Sequence, residues 1–541
     1  MTSMRSRKHL VLAAALAAPA LLLAAGEVSG PAAHRRKGDD CTTVAAGRLA
    51  TADGSVMTSE ACDGHDGRTW VDVRPHRSHR AGETTEIRAK TDLQFAPDDL
   101  RPTQVLGSIP QVAETYGYVN TIYPAVNEHQ LAIGESTFGG KEVMASEKGL
   151  INCYELTRLM AERCRTAREA IALAGQLLAK YGWNDEGETL TIADTREVWL
   201  MEIVGPGKDR VGAVWVARRV PDGHVTVAAN ASRIRELECK DAENWACSDN
   251  VVSRAVELGL YDPKAGHPFE FCYAYAERGN FGSSRREWRA LSLLAPSLKL
   301  NANAENFPFS VKPDRKIGPA DLMAVFRDTY EDTPYDLRRF MKVTDKDGKS
   351  VLSPYASPFL YYDQMELYHV WGGWGENGER PIARWYCITT WISQSRGWLP
   401  DPVGGVAWLG WQNPATTTWV PLYAGMLDAP ASFKVGGDRF GGGRPAFTPK
   451  SAWWSFNRVA KLSAQRWGDI RQDVYAVRDP LQAEGLALQA QLDAEISKRL
   501  EAGDKGALAA LTERVDAYAA KVVAAYWQLG DDIWTRYDEK F

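Results

Sequence analysis

Cys41 constrains this chain more than any other residue. It opens a run of β-branched and small residues, Thr42 to Leu49, that suits a strand. Ala52-Asp53-Gly54-Ser55 then signals a turn, and Val56 to Ser59 resumes extended structure. The pattern predicts a hairpin with the cysteine at its free end. What precedes it is equally distinctive. Arg5, Arg7 and Lys8 lead into an apolar run from Leu10 to Ala25, followed by small residues. This is the order of an export signal, assigned to residues 1–26, with 27–40 as a propeptide. At 16 residues the apolar run is short of a membrane span, and no later segment is long and apolar enough. The mature chain is therefore expected to start at Cys41, to be soluble, and to be secreted or held in the cell envelope. A lipidated cysteine would directly follow a small, apolar box, whereas Cys41 follows Lys37-Gly38-Asp39-Asp40. A cysteine at a new N-terminus carries an α-amine of reference pKa ~8 beside a thiol of ~8.5. One residue can then serve as nucleophile and base.

Composition removes other classes. The net charge is −5, and the one compact basic run, His34-Arg35-Arg36-Lys37, lies in the segment expected to be lost, so no nucleic-acid partner is expected. The nine histidines are scattered, with no His-Glu-x-x-His or Cys-x-x-Cys, so no metal or organic cofactor is expected. His76 and His79 lie in an Arg/Ser-rich stretch that reads as a solvated loop. Of the eight cysteines, Cys239 and Cys247 are close together in a polar stretch and are the best candidate disulfide; Cys153, Cys272 and Cys387 sit in core-like surroundings that suit buried thiols.

Along the chain, Tyr118–Tyr123 and Gln130–Gly134 read as strands joined by a turn at Asn127-Glu128. Residues 152–181 carry the clearest helical periodicity, stopped by Gly182. Strands are predicted over Thr189–Ala193, Val198–Ile203, Val211–Ala217 and Val225–Ala229, and a helix over 249–259. Residues 355–425 hold Trp371, Trp374, Trp385, Trp391, Trp398, Trp408, Trp411 and Trp419 among strand and turn signals. Leu481 to Leu529 reads as two helices broken near Gly503-Asp504-Lys505-Gly506. The order strands, helix, strands implies an α+β layered core. One large catalytic body is expected over 41–470, with a helical C-terminal extension over 471–541.

Two competing functions deserve weighing. Gly134-Glu135-Ser136-Thr137-Phe138 partly matches a serine-hydrolase elbow, but Phe138 stands where a second glycine is required. A Trp-rich surface could stack on sugar rings and make this an exported glycan- or cell-wall-binding protein, although Trp more often packs cores.

Several motifs occurring in order favour a third reading. Cys41-Thr42-Thr43, Ala50-Thr51-Ala52-Asp53-Gly54-Ser55-Val56 and Cys62-Asp63-Gly64 open the series. Tyr123-Pro124-Ala125-Val126-Asn127-Glu128 through Gly134-Glu135-Ser136-Thr137-Phe138-Gly139-Gly140 continue it, as do Arg163-Cys164-Arg165-Thr166, Leu190-Thr191-Ile192-Ala193-Asp194, Ala229-Asn230-Ala231-Ser232-Arg233-Ile234 and Gln394-Ser395-Arg396-Gly397-Trp398-Leu399-Pro400. Together they resemble the cysteine-nucleophile dipeptidase family of the N-terminal-nucleophile hydrolases over most of residues 41–470.

The resemblance implies a four-layer αββα sandwich and an exported cysteine dipeptidase acting on small peptides through a thioester. Related amide acylases, of the penicillin V or bile-salt type, are the alternative on the same scaffold. By the resemblance Cys41 matches the nucleophile, Asp63 the carboxylate that holds its amine or thiol, and Asn230 the side-chain donor of an oxyanion hole. Backbone N–H groups near Ser136–Phe138 would be the second donor, and Glu60, Glu135 and Ser136 are expected at the substrate. One departure stands out. Many relatives carry an arginine shortly before the aspartate, where this chain has Ser59-Glu60-Ala61-Cys62-Asp63. Glu60 cannot stabilise a thiolate as a cation would. It either points away or recognises a substrate amine. A homo-oligomer is compatible with the C-terminal helices, whose Ala/Leu stripe suits an interface or an active-site cap equally.

Overall fold

Alternation of side chains explains the first strand. The computed structural model describes residues 40–64, 69–90, 104–361, 364, 379–436 and 447–541. The expected export signal and the propeptide up to residue 39 lie outside the described residues, as do Trp371 and Trp374. Strand β1 (Asp40–Ala46) pairs antiparallel with β2 (Ser59–Asp63), placing Asp40 opposite Asp63 and Cys41 opposite Cys62. Val44 and Ala46 project into a large core shared with Leu291, Leu322 and Trp391. Thr43, on the opposite face by the period of two, meets a second sheet.

Further strands complete both sheets: β3 (Asp72–Arg74), β4 (Tyr118–Asn120), β5 (Pro124–Asn127), β6 (Ala132–Phe138), β7 (Gly187–Ala193), β8 (Val198–Val204) and β9 (Val214–Arg219), then β10 (Val225–Ala228), β11 (Trp245–Cys247), β12 (Cys387–Ser395), β13 (Gly405–Trp411) and β14 (Val420–Tyr423). A six-stranded sheet has the order β10-β1-β2-β12-β13-β14, and an eight-stranded sheet the order β11-β9-β8-β7-β6-β5-β4-β3. All their pairings are antiparallel. The fold is thus mixed helix and antiparallel sheet.

The two sheets meet through small polar residues. Thr43 and Thr191 hydroxyls lie 2.9 Å apart, and Thr58 donates to Thr191 at 2.6 Å. Gly134 makes this approach possible, because a Cβ there would stand 2.5 Å from the Ser59 carbonyl oxygen and 2.6 Å from Thr191 Oγ1. On the other face of the larger sheet, α1 (Cys153–Arg163) and α2 (Ala167–Tyr181) bury Leu156, Leu159, Ile171 and Leu178 against Leu190, Ile192 and Met201. The single helical run expected over 152–181 is two helices. Thr166 caps the second through a reciprocal capping box with Glu169, which stops the first helix short.

Helices α3 (Phe281–Leu294), α4 (Pro319–Phe326), α5 (Ala452–Gln465), α6 (Trp467–Glu501) and α7 (Ala507–Tyr537) share one hydrophobic core with the smaller sheet. The break expected near Gly503–Gly506 is present, but the helical region starts well before Leu481. The helix expected over 249–259 is reduced to Ser253–Glu257. The described residues from 40 to 541 form one compact unit. No described helix is long and apolar enough to cross a membrane. Of the six described tryptophans in this stretch, Trp391, Trp408, Trp411 and Trp419 are buried in the core rather than facing sugars; Trp398 is exposed. Cys239 and Cys247 form the expected disulfide, while Cys153, Cys272 and Cys387 are buried free thiols.

Candidate active site around Cys41

Cys41 lies at the open end of the β1–β2 hairpin, only 2% exposed, with Asp40 before it in the same strand. Its thiol donates to Glu135 Oε2 at 3.1 Å. The Cys62 thiol beside it, burial, and the carboxylates of Glu135 and Glu60 all push the Cys41 thiol well above its ordinary range. In this joined form the sulfur is held as the neutral thiol.

The backbone of Cys41 is gripped on both sides. Its N–H donates to Asn230 Oδ1 at 3.0 Å. Its carbonyl accepts from Arg286 Nη1 at 2.6 Å, and the Ser136 hydroxyl stands 3.5 Å from the same oxygen. Asn230 follows β10 in a left-handed conformation, φ 57°, which asparagine tolerates better than most residues. Its own N–H donates to Ser136 Oγ at 2.9 Å, and its Nδ2 donates to the Thr137 carbonyl at 2.6 Å. The next residues of this loop are tied to the buried carboxylate of Glu202, which accepts from the backbone N–H groups of Arg233 and Ile234 and from the Ser232 hydroxyl. Burial pushes Glu202 up to about 7 against those donors.

Asp63 ends β2 at full burial and pairs with Arg380, which also bonds Asp40 Oδ2 at 3.0 Å. Burial raises the Asp63 carboxyl; Arg380 opposes it and Asp40 adds to it. Burial acts upward on Asp40 too, but Arg380, Arg286 and Arg384 together hold it below the usual range. Arg286 joins the halves of the site. Its guanidinium donates to Cys41 O, to Thr42 Oγ1 at 2.8 Å, to Ala229 O at 3.2 Å and to Asn230 Oδ1 at 2.8 Å, while its Nε bonds Gly282 O at 3.0 Å.

All six residues expected from sequence, Cys41, Glu60, Asp63, Glu135, Ser136 and Asn230, are therefore gathered at one end of the two sheets. Ser136 lies inside strand β6 rather than on a turn, since that strand runs four residues past Gly134, and its hydroxyl serves the Cys41–Asn230 framework. Sequence reasoning missed Arg286, Arg380 and Glu188. The arginines supply the positive charge that is absent from the run before Asp63, and they come from α3 and from the loop Glu379-Arg380-Pro381. Neither has a local signal; residues 235–320 read as mixed, polar and loop-rich, and Arg286 is one more charged residue there beside Arg285 and Glu287. Glu188 faces Glu135 from the next strand, bridged by the Thr137 hydroxyl at 2.8 Å and 3.0 Å. Glu135, Cys153 and Glu188 place one donor atom each within 4.8 Å of one another, close enough to share a cation.

A family model for Peptidase family C69 matches residues 40–479. The chain is similar to a probable dipeptidase of Latilactobacillus sakei, 24% identical over 452 residues, covering 80% of this chain and 82% of the relative. It is similar to probable dipeptidase B of Lactococcus lactis subsp. lactis, 26% identical over 518 residues, with 92% and 95% covered. It is also similar to dipeptidase A of Lactobacillus helveticus, 24% identical over 489 residues, with 86% and 90% covered.

Proposed function

This chain belongs to peptidase family C69 and is a peptidase, and from that premise we propose that it is an exported dipeptidase whose nucleophile is an N-terminal Cys41. The observation that carries the reading is convergence: Glu135, Asn230, Arg286 and the Asp63–Arg380 pair all meet at Cys41 or the residue joined to it. Export rests on the charged and apolar order of residues 1–26. The two facing sheets, with α1 and α2 on one side and α3 and α4 on the other, support the four-layer αββα arrangement of N-terminal-nucleophile hydrolases.

Maturation begins when Cys41 Sγ attacks the Asp40 carbonyl carbon. The C–N bond breaks, the nitrogen becomes the α-amine, and water hydrolyses the resulting thioester, releasing Asp40 as a carboxylate. In turnover the α-amine accepts the thiol proton and Sγ attacks the first carbonyl of the peptide. Asp63 holds the α-ammonium. A backbone N–H near Ser136–Phe138 meets the oxyanion, and Asn230 joins it once its Nδ2 turns from the Thr137 carbonyl, each such donor being worth about 10²–10³ in rate. The α-ammonium protonates the leaving amine, and water cleaves the acyl-enzyme.

The test is intact mass and N-terminal sequencing of the exported protein beside Cys41→Ala, with a dipeptide hydrolysis assay on both. A wild-type terminus at Cys41 and loss of hydrolysis in the variant are expected. A stable wild-type terminus upstream of Cys41, or dipeptide turnover in Cys41→Ala, would sink the proposal.

A further inference from the structure

The side of Cys41 away from the two arginines is rich in acceptors and poor in donors. Glu60, Glu135 and Glu188 come from three strands, β2, β6 and β7, and none is more than 1% exposed. The Thr137 hydroxyl lies within hydrogen-bond reach of both Glu135 Oε1 and Glu188 Oε1, yet it has one proton to give. Lys90 reaches Glu188 Oε1 at 3.2 Å but divides its charge with Asp185 at 3.0 Å. Glu60 Oε2 and Glu188 Oε2 are buried with no hydrogen-bond partner. Buried carboxylate oxygens left without donors are costly, and a site that keeps them is built for a group that brings donors with it.

Distance identifies that group. In a peptide with a free N-terminus the α-nitrogen is two bonds from the scissile carbonyl carbon, about 2.5 Å away. A sulfur poised to attack stands about 3–3.5 Å from the same carbon. The α-nitrogen therefore lies within about 6 Å of Sγ. Glu135 Oε2 is 3.1 Å from that sulfur. A primary ammonium carries three N–H donors and one positive charge, which matches the shortage.

We infer that Glu60, Glu135 and Glu188 form the subsite that holds the free α-ammonium of the substrate, so that the first peptide bond is the one presented to Cys41. The inference rests on Cys41 being the nucleophile. Burial and the neighbouring Glu135 hold Glu60 and Glu188 well above the ordinary carboxylate range, and a cation seated between them would act in the opposite direction. The subsite also separates a dipeptidase from an acylase, because an N-acylated substrate brings no cation.

The experiment compares Ala-Ala with N-acetyl-Ala-Ala on the mature enzyme and on Glu188→Gln and Glu60→Gln. The wild type should prefer the free amine by at least a hundredfold in kcat/KM. Each variant should narrow that preference at least tenfold, mainly through a higher KM for Ala-Ala. If Glu188→Gln does not fold, Glu60→Gln carries the test. Equal cleavage of both peptides by the wild type, or an unchanged preference in the folded variants, would overturn the subsite. So would a turnover of both peptides that rises with added Zn²⁺ or Mn²⁺ and falls with EDTA, which would assign Glu135, Cys153 and Glu188 to a metal. Activity surviving in Cys41→Ala would instead overturn the nucleophile, so the two failures are distinct.

Discussion

Replacing Arg286 by methionine tests whether the site is held together from the helix side. The side chain is 1% exposed and makes five hydrogen bonds, to Gly282 O, Cys41 O, Thr42 Oγ1, Ala229 O and Asn230 Oδ1. Arg286→Met fills much of the volume and removes every donor. Asn230 Oδ1 keeps the Cys41 N–H, and Cys41 O keeps only the long contact from Ser136. Each buried acceptor that is orphaned costs about 1–3 kcal/mol. Against this, burial disfavours the guanidinium and lowers it to about 10, so removing it relieves part of the cost. Breaking a buried charged network on balance costs about 3–5 kcal/mol, and that is the loss expected here. Arg286→Lys keeps the charge but offers one nitrogen in place of a fork, and should lose about 2 kcal/mol. Turnover should fall about 10²-fold in Arg286→Met, because the Cys41 carbonyl and Asn230 lose their common anchor. Denaturant midpoints and kcat/KM on the same preparations measure both effects. Arg289→Met is the control. Arg289 lies on the same helix as Arg286; its loss breaks a partly buried pair with Asp328, which follows α4, and touches nothing at Cys41, so stability should drop while kcat holds. Arg286→Met within about 0.5 kcal/mol of the parent and with unimpaired turnover would refute the reasoning.

Other consequences are equally open to measurement. Glu202, raised by burial from its ordinary 4.5 to about 7, favours the folded state in its protonated form. Its contribution is therefore fully present below about pH 4.5 and is lost as pH rises through about 7, a change of about 3 kcal/mol by linkage. Glu202→Gln should flatten the stability-pH curve over that window; an equal slope in the variant would remove Glu202 from the account. Gly134→Ala places a methyl 2.5 Å from the Ser59 carbonyl and should destabilise by about 1–3 kcal/mol by prising the sheets apart; a neutral thermal melt would show that the gap can yield.

The sequence carried the site's centre better than its surroundings. Cys41, Asp63 and Asn230 could be singled out because each lies in a short motif that resembles the family's, and the structure brings the three together. The hairpin, the disulfide and the strands around Thr191 and Met201 were legible for a different reason: period-two alternation and close spacing are local signals. Arg286 and Arg380 were not, because they act from 245 residues and 317 residues away in sequence, on Cys41 and Asp63 respectively. An arginine on a helix surface and one destined for burial look alike until tertiary contacts exist. The shortening of the strand expected over Tyr118–Tyr123 has a similar cause. It ends at Asn120, whose side chain bonds Asp72 on β3, and the chain turns before Pro124 begins the next strand.

The junction between Asp40 and Cys41 is also an electrical one. Asp40 and Asp63 face one another across two strands and share Arg380, with Arg286 close enough to bias both. While the chain is continuous, Asp40 and Asp63 share the neighbourhood of Arg380, Arg286 and Arg384. On the proposed maturation, a cut after Asp40 would remove one of the two carboxylates and leave an α-amine of reference pKa ~8 among those guanidiniums. Positive neighbours disfavour the ammonium, so the new amine would be biased toward its neutral, proton-accepting form, while Glu135 and Glu60 stay beside the sulfur.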